Sequence, residues 1–289
     1  MSLTIENAKA DIGGIVHVDK ARLLDPDVIA AAHTALEERG VLVFPGLFLT
    51  DQEQLAFTDA FGERVNFSRS VPGGRDADDP DVYKISLDKN LEPEYVLGTW
   101  FWHIDGVTID QPLPKATFLS ARKLSPSGGQ TEFASTFAAY DALPEDLKTQ
   151  IGDLRVIHRM IASMRPVFRE LTDEQEAKYQ RMATEMVHPL VWAQTSGRKS
   201  LVLGSHADEI LGMRVSDGRA LLARLTEFAA QLQFVYRHEW RLGDFVVWNN
   251  HGVMHRVVPY AENTGRAMHR TTIMGTQRLG RPLKELEPA

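Results

Sequence analysis

Beyond residue 116 the chain is cut into short apolar runs separated by Gly, Asn, Pro and Asp, and no other feature constrains its fold as strongly. The runs are "TFLSARKL" (117–124), "QTEFAS" (130–135), "LRVIHRMI" (154–161), "HPLVWAQT" (188–195), "KSLVLG" (199–204), "RHEWRLGDFVVWNN" (237–250), "VMHRVVPY" (253–260) and "RAMHRTTIMG" (266–275). Runs of this length bounded by turn residues are strands, because a buried helix needs more turns to cover its apolar face. Two strands are also expected earlier, in "IGGIVHVD" (12–19) and "VLVFPG" (41–46).

Helical spacing accompanies these strands. Residues 26–40 are Ala-rich and stop at Gly40, and residues 50–62 open with Thr50 and Glu53, a capping-box pattern. Residues 136–151, 166–185 and 217–232 are also expected to be helical, and "HADEILGM" (206–213) to be a loop entering a short helix. The predicted class is an all-β core with added helices (α+β): a sandwich or jelly roll. Neither repeats nor a linker divide residues 1–289, so one domain is expected. Residues 65–98, rich in Pro, Gly and Asp, form its long loop, and loops of this length are commonly functional.

The chemistry is bounded by what is missing. With no cysteine, thiolate metal sites, disulfides and cysteine nucleophiles are excluded, so a metal must be held by His, Asp or Glu. The net charge of −7 argues against nucleic acid or an anionic membrane as partner. No apolar stretch is long enough to span a bilayer, and no signal peptide is visible, so the sequence reads as cytoplasmic.

Three His-x-Asp pairs occur: His17/Asp19, His103/Asp105 and His206/Asp208. On a strand, two such residues share a face and converge on a metal, on a proton, or on nothing. The middle pair follows Trp100, Phe101 and Trp102, and a carboxylate in so apolar a setting needs a charged partner or a metal. A third ligand is available downstream in "GDFVVWNNHGVMHRVVPY" (243–260), at His255. Two histidines and one carboxylate leave half of an octahedral ion open, the facial triad of non-haem Fe(II) oxygenases. The open positions accept a chelating 2-oxo acid and dioxygen, and an arginine near the third ligand can grip the far carboxylate of that acid.

His103-x-Asp105, His255, and Arg266 after ten intervening residues, resemble the Fe(II)/2-oxoglutarate-dependent dioxygenases of the taurine and 2,4-dichlorophenoxyacetate dioxygenase family. "GVLVFPGLFLTDQEQLAFTDAFGE" (40–63), "SGGQTEFASTFAAYDALPEDLK" (127–148), "GRKSLVLGSHADEILGM" (197–213) and "GDFVVWNNHGVMHR" (243–256) extend the similarity along most of the chain. The resemblance implies a double-stranded β-helix, a cupin-like jelly roll with the metal at one open end. It implies that His103, Asp105 and His255 bind Fe(II), that Arg266 and Thr131 bind 2-oxoglutarate, and that Arg270 meets an anionic primary substrate. The activity implied is hydroxylation of a small organic acid, such as a sulfonate or phenoxyalkanoate, by dioxygen with release of succinate and CO2. A carboxylate at Asp105, where related halogenases carry a small residue, favours hydroxylation over halogenation. Family habit also implies a homodimer or homotetramer.

The chain departs from the family pattern at two places. After Trp248 it has Asn249, Asn250 and His251, where the family usually has Asp-Asn-Arg. Position 99 is Thr, not the asparagine that contacts substrate in the taurine enzyme. Arg69 and Arg75 in the long loop are further substrate candidates, weighed against ordinary solvated loop charges. Trp100, Phe101, Trp102 and Trp248 divide between core and pocket wall, His206 reads as a structural or interface histidine, and His269 is expected on the face opposite Arg270. Two alternatives share these residues: a 2-oxoglutarate-dependent desaturase or epoxidase, separable by product analysis, and a non-catalytic metal-binding jelly roll, which has no use for Arg266 and Thr131.

Overall fold

A computed structural model of the chain describes residues 3–65, 82–88 and 93–286. Its strands are β1 (Thr4–Asn7), β2 (Gly14–His17), β3 (Val41–Phe44), β4 (Tyr83–Ile85), β5 (Ala116–Lys123), β6 (Thr131–Ser135), β7 (Arg155–His158), β8 (Met186–Pro189), β9 (Val191–Ala193), β10 (Lys199–Leu201), β11 (Ala207–Ile210), β12 (Val235–His238), β13 (Phe245–Asn249), β14 (Val253–Val257), β15 (Ala267–Ile273) and β16 (Arg281–Pro282). Its helices are α1 (Pro26–Arg39), α2 (Asp51–Phe61), α3 (Pro93–Gly98), α4 (Thr136–Asp141), α5 (Glu145–Ile151), α6 (Met160–Met164), α7 (Asp173–Met182) and α8 (Val215–Ala229).

A seven-stranded sheet runs β1-β2-β3-β13-β5-β15-β4, and a three-stranded sheet, β12-β6-β14, packs against it as a jelly roll. Alternation along the strands explains how the two layers meet. On one face of the larger sheet, Leu42, Phe44, Phe118, Phe245 and Val247 pack under Leu36 of α1 and Phe57 and Phe61 of α2. On the other, Val41, Val43, Leu119, Val246, Trp248 and Met268 meet Phe133 and Val253 of the smaller sheet. Central strands covered on both faces read as continuous apolar runs, which is why "VLVF" and "FVVW" stood out in the sequence. A four-stranded sheet, β11-β7-β8-β16, packs with α8 and the β9-β10 pair at one side.

The helix boundaries follow local chemistry. Gly40 caps α1 at φ 70°, and Thr50 and Glu53 make the expected capping box on α2. The segment expected as one helix over 136–151 is two, α4 and α5, because Pro144 cannot donate into a continuing helix and disfavours helical geometry at Leu143. Of residues 166–185 only α7 is regular; it starts at a second capping box, Thr172 with Gln175. The run at 154–161 is strand only to His158, after which α6 begins. Residues 237–250 hold two strands in different sheets. Residues 207–210, expected as loop, are strand β11, which pairs with β7 instead of leading directly into a helix. Within the expected long loop, β4 adds an edge strand to the larger sheet, and α3 leads into the aromatic run. No helix among the described residues is long and apolar enough to cross a membrane.

Candidate metal centre and its cavities

His103 and His255 come from distant parts of the chain and are joined by main-chain hydrogen bonds in both directions, at 3.0 and 2.9 Å. His255 sits on β14, whose register is fixed against β6. The pair His103/Asp105 lies on no strand; His103 makes this single bridge, and the chain then turns at Gly106, whose φ of 81° and proximity to Pro114 leave no room for a side chain. The imidazoles lie 4.1 Å apart, and Trp248 packs on that of His255 at 4.6 Å. His103 Nδ1 donates to the Phe101 carbonyl at 2.8 Å, which leaves Nε2 as a lone-pair donor.

Asp105 Oδ1 lies 4.0 Å from His103 Nε2 and 3.9 Å from His255 Nε2. Its other oxygen, Oδ2, accepts from the Thr117 hydroxyl at 2.7 Å and pairs with Arg270 Nη2 at 3.1 Å. Burial pushes the Asp105 carboxyl up, but Arg270, His255, His103 and Thr117 together outweigh it and hold it well below the usual carboxylate range. Burial lowers both histidines, that of His255 further because His103 adjoins it. Two neutral nitrogen donors and one ionised oxygen donor therefore face one point, and this set fits a divalent iron or manganese ion. It is the only such cluster among the described residues.

The triad lies between two cavities, and His103 and Arg270 line both. The narrower, about 40 Å³, ends at Thr131 and Arg266 beside His255 and Trp248. Arg266 is 2% exposed, donates to the Gly129 carbonyl at 3.0 Å and lies 4.8 Å above the Tyr260 ring. Among the described residues no carboxylate pairs with it, and burial lowers its affinity for its proton. Thr131 Oγ1 accepts from Trp240 Nε1 at 2.9 Å, so its own proton remains to donate. Gly129 has a φ of 79°, and a methyl group there would lie 2.9 Å from Arg266 Nε. The wider cavity, about 280 Å³, is walled by Tyr83, Tyr95, Val96, Ile109, Met160, Met164 and Met182.

Residues 4–272 match the family described as "Taurine catabolism dioxygenase TauD, TfdA family". The chain belongs to the TauD/TfdA dioxygenase family. It is 36% identical over 273 residues to the alpha-ketoglutarate-dependent 2,4-dichlorophenoxyacetate dioxygenase of Cupriavidus pinatubonensis, covering 90% of this chain and 93% of that one. It is 32% identical over 278 residues to the (S)-phenoxypropionate/alpha-ketoglutarate-dioxygenase of Sphingobium herbicidovorans, covering 92% and 93%. Among solved structures, AAD-2 in complex with Mn(II) and N-oxalylglycine superposes with a TM-score of 0.79 at 34% identity, over 96% of this chain and 99% of that one. This TauD/TfdA dioxygenase is accordingly an oxidoreductase dependent on Fe(II) and 2-oxoglutarate, acting on a small organic substrate.

In this dioxygenase all six residues singled out from the sequence line one of the two cavities or belong to the triad between them. The other two His-x-Asp pairs do not converge: His17 lies near Glu6, and Asp208 is held by Arg159, Arg165 and Arg219. His206 forms part of the wider cavity's wall. His269 points away from Arg270 as expected and meets Asp51 at 2.6 Å. Thr99 lines both cavities, with its hydroxyl turned back to the Val96 carbonyl at 2.7 Å. His251 is structural: its carbonyl accepts from Gln194 and Ser200, and its ring packs on Trp192 at 4.3 Å. Arg69 and Arg75 lie outside the described residues. Sequence reasoning missed Tyr95 and the three methionines, which reach the site only through tertiary packing. It also missed Thr117, whose signal is its position directly opposite Trp248 in the sheet.

Proposed function

We propose that His103, Asp105 and His255 ligate the Fe(II), that Arg266 and Thr131 receive the distal carboxylate of 2-oxoglutarate, and that Arg270 faces the acidic group of the primary substrate. When bound, Fe(II) and 2-oxoglutarate supply the activation of dioxygen, with succinate and CO2 as co-products. The chain's own part is to orient the three ligands, to anchor the co-substrate away from water, and to hold one C–H bond of the substrate close to the metal.

The observation that carries this reading is Arg266. A guanidinium 2% exposed, with no carboxylate beside it among the described residues, is an unfavourable arrangement unless an anion arrives from outside. A metal-binding jelly roll without catalysis gives no reason to keep it. The methionine- and tyrosine-walled cavity supports a substrate with an apolar, polarisable body, and the named substrates of the two relatives support an aryloxy acid. Hydroxylation at a carbon next to the ether oxygen would split such a substrate, because the hemiacetal formed collapses. We further infer a single domain, a cytoplasmic location, small molecules as partners in place of nucleic acid or membrane, and a homodimer or homotetramer; most of the expected loop over 65–98 lies outside the described residues. The family match over residues 4–272 and the net charge of −7 support the first and third of these.

The test is an anaerobic titration with Fe(II) and 2-oxoglutarate, read by the visible charge-transfer band of the chelate. It is followed by succinate release across a panel of phenoxyacetates, phenoxypropionates and alkyl sulfonates. A band, and succinate formation stimulated by at least one of these acids, is the expected result. Absence of both overturns the assignment.

A further inference from the structure

Asp105 Oδ2 ends a hydrogen-bond chain whose direction is fixed by its two termini. Trp248 Nε1, which can only donate, gives its proton to Asn250 Oδ1 at 3.0 Å. This sets the amide so that Asn250 Nδ2 donates to Thr117 Oγ1 at 2.9 Å. The Thr117 hydroxyl, its lone pair engaged, donates its own proton to Asp105 Oδ2 at 2.7 Å. The carboxylate, which can only accept, closes the chain. Thr117, Asn250 and Trp248 are at most 2% exposed, so water does not compete for these bonds. Sheet register builds the chain: Thr117 of β5 lies opposite Trp248 of β13, and Asn250 follows where its backbone N–H reaches the Lys115 carbonyl at 3.0 Å.

We propose that Thr117 and Asn250 are positioning residues that hold Asp105 in one-oxygen ligation, an inference that rests on Asp105 being a metal ligand. Oδ2 is committed to the chain, and only Oδ1 faces the two histidine Nε2 atoms. A carboxylate free to rotate would offer both oxygens and take up one of the positions that the co-substrate and dioxygen require. Arg270 also touches Oδ2, but it stands in the wall of the wider cavity, where an incoming acid competes for it. The Thr117 hydroxyl is wholly buried and is tied to Asp105 whichever partner Arg270 takes. The asparagine of the otherwise altered Asn249-Asn250-His251 run therefore has a definite task.

The experiment measures Mn(II) affinity of the full chain by calorimetry, and the absorption of the Co(II)-loaded protein, for T117V, T117A, T117S and D105A. Loss of an outer hydrogen-bond partner weakens metal binding roughly 10- to 100-fold. T117V and T117A are expected in that range with an altered Co(II) spectrum, and T117S, which keeps the hydroxyl, within about threefold of the native protein. Circular dichroism of the metal-free variants checks the fold, and T117A serves where T117V does not fold. D105A losing Mn(II) while T117V and T117A bind it like the native chain, with unchanged Co(II) bands, would overturn this proposal and leave the ligand assignment standing. D105A binding Mn(II) with native affinity would overturn the ligand assignment itself.

Discussion

Replacing Arg266 with methionine should cost co-substrate affinity far more than stability. This guanidinium is 2% exposed and has a carbonyl and an aromatic ring for company, with no carboxylate beside it among the described residues. Exchanging buried ionic groups for apolar ones of similar shape is neutral to stabilising by about 1–4 kcal/mol. The lost bond to Gly129 O removes part of that gain, since a hydrogen bond to a charged group contributes about 1.5–3 kcal/mol. The two terms nearly cancel, so stability changes by no more than about 2 kcal/mol either way, or about 4 °C in Tm at the ~2 °C per kcal/mol of a large domain. For 2-oxoglutarate the same change removes the buried cation proposed to face its distal carboxylate. Truncating one side of such a pair costs about 2–5 kcal/mol, roughly a 30- to 5,000-fold rise in Kd. Thermal unfolding with and without 2-oxoglutarate and Mn(II) reads both quantities in one instrument. Arg266→Met should unfold within about 4 °C of the native chain when alone and lose the increment that 2-oxoglutarate gives the native chain. A variant that is far less stable alone yet keeps that increment would refute the reasoning, because Arg266 would then be a structural cation with no anion to meet.

Gly129→Ala should lower Tm, since a left-handed backbone at a φ of 79° costs a non-glycine residue about 1–2 kcal/mol, and should also weaken 2-oxoglutarate binding by displacing Arg266; the same scans measure both. Arg270→Met should raise KM for acidic substrates roughly 10- to 150-fold, the equivalent of one hydrogen-bonded charge, and change KM for their uncharged amides much less in a succinate-release assay. Acid should destabilise the fold through its buried histidines. Burial lowers His158, with His188 and His206 adding to the effect, and burial followed by Lys115 lowers His251 to about 3. The unfolded chain titrates these groups near pH 6.5 and so binds more protons below that value. Stability is therefore complete above pH 6.5 and falls as the pH drops toward 3, by up to about 1.4 kcal/mol per pH unit for each histidine. Chemical denaturation of the metal-free protein at pH 7.5 and 5.5 checks the sign.

What the sequence revealed in advance was what local pattern can encode. The doubly covered strands "VLVF" and "FVVW", the Thr50/Glu53 cap and the Gly40 stop each depend on neighbours a few residues away. The triad was legible because its residue types are rare in such apolar surroundings and their spacing follows a known family. The break at Pro144 was written in the chain and outweighed in the reading by the helical spacing around it. Strand β11 was hidden because "HADEI" lacks apolar alternation and gains its pairing from β7. Thr117 and Asn250 could not be found without register, since nothing in the sequence says that β5 lies against β13. The methionines of the cavity wall come from α6 and from the end of α7, and their placement depends on packing between distant elements.

The two-way backbone bridge between residues 103 and 255 bears on how the enzyme is made. During synthesis the first histidine and the aspartate leave the ribosome long before strand β14 exists to complete the set. Contacts between such distant segments form late, after the loop between them has closed. On the ligand assignment proposed above, iron is captured only by a chain that has brought both segments together, and tight retention of the ion would mark a correctly matured molecule in a population of newly made ones.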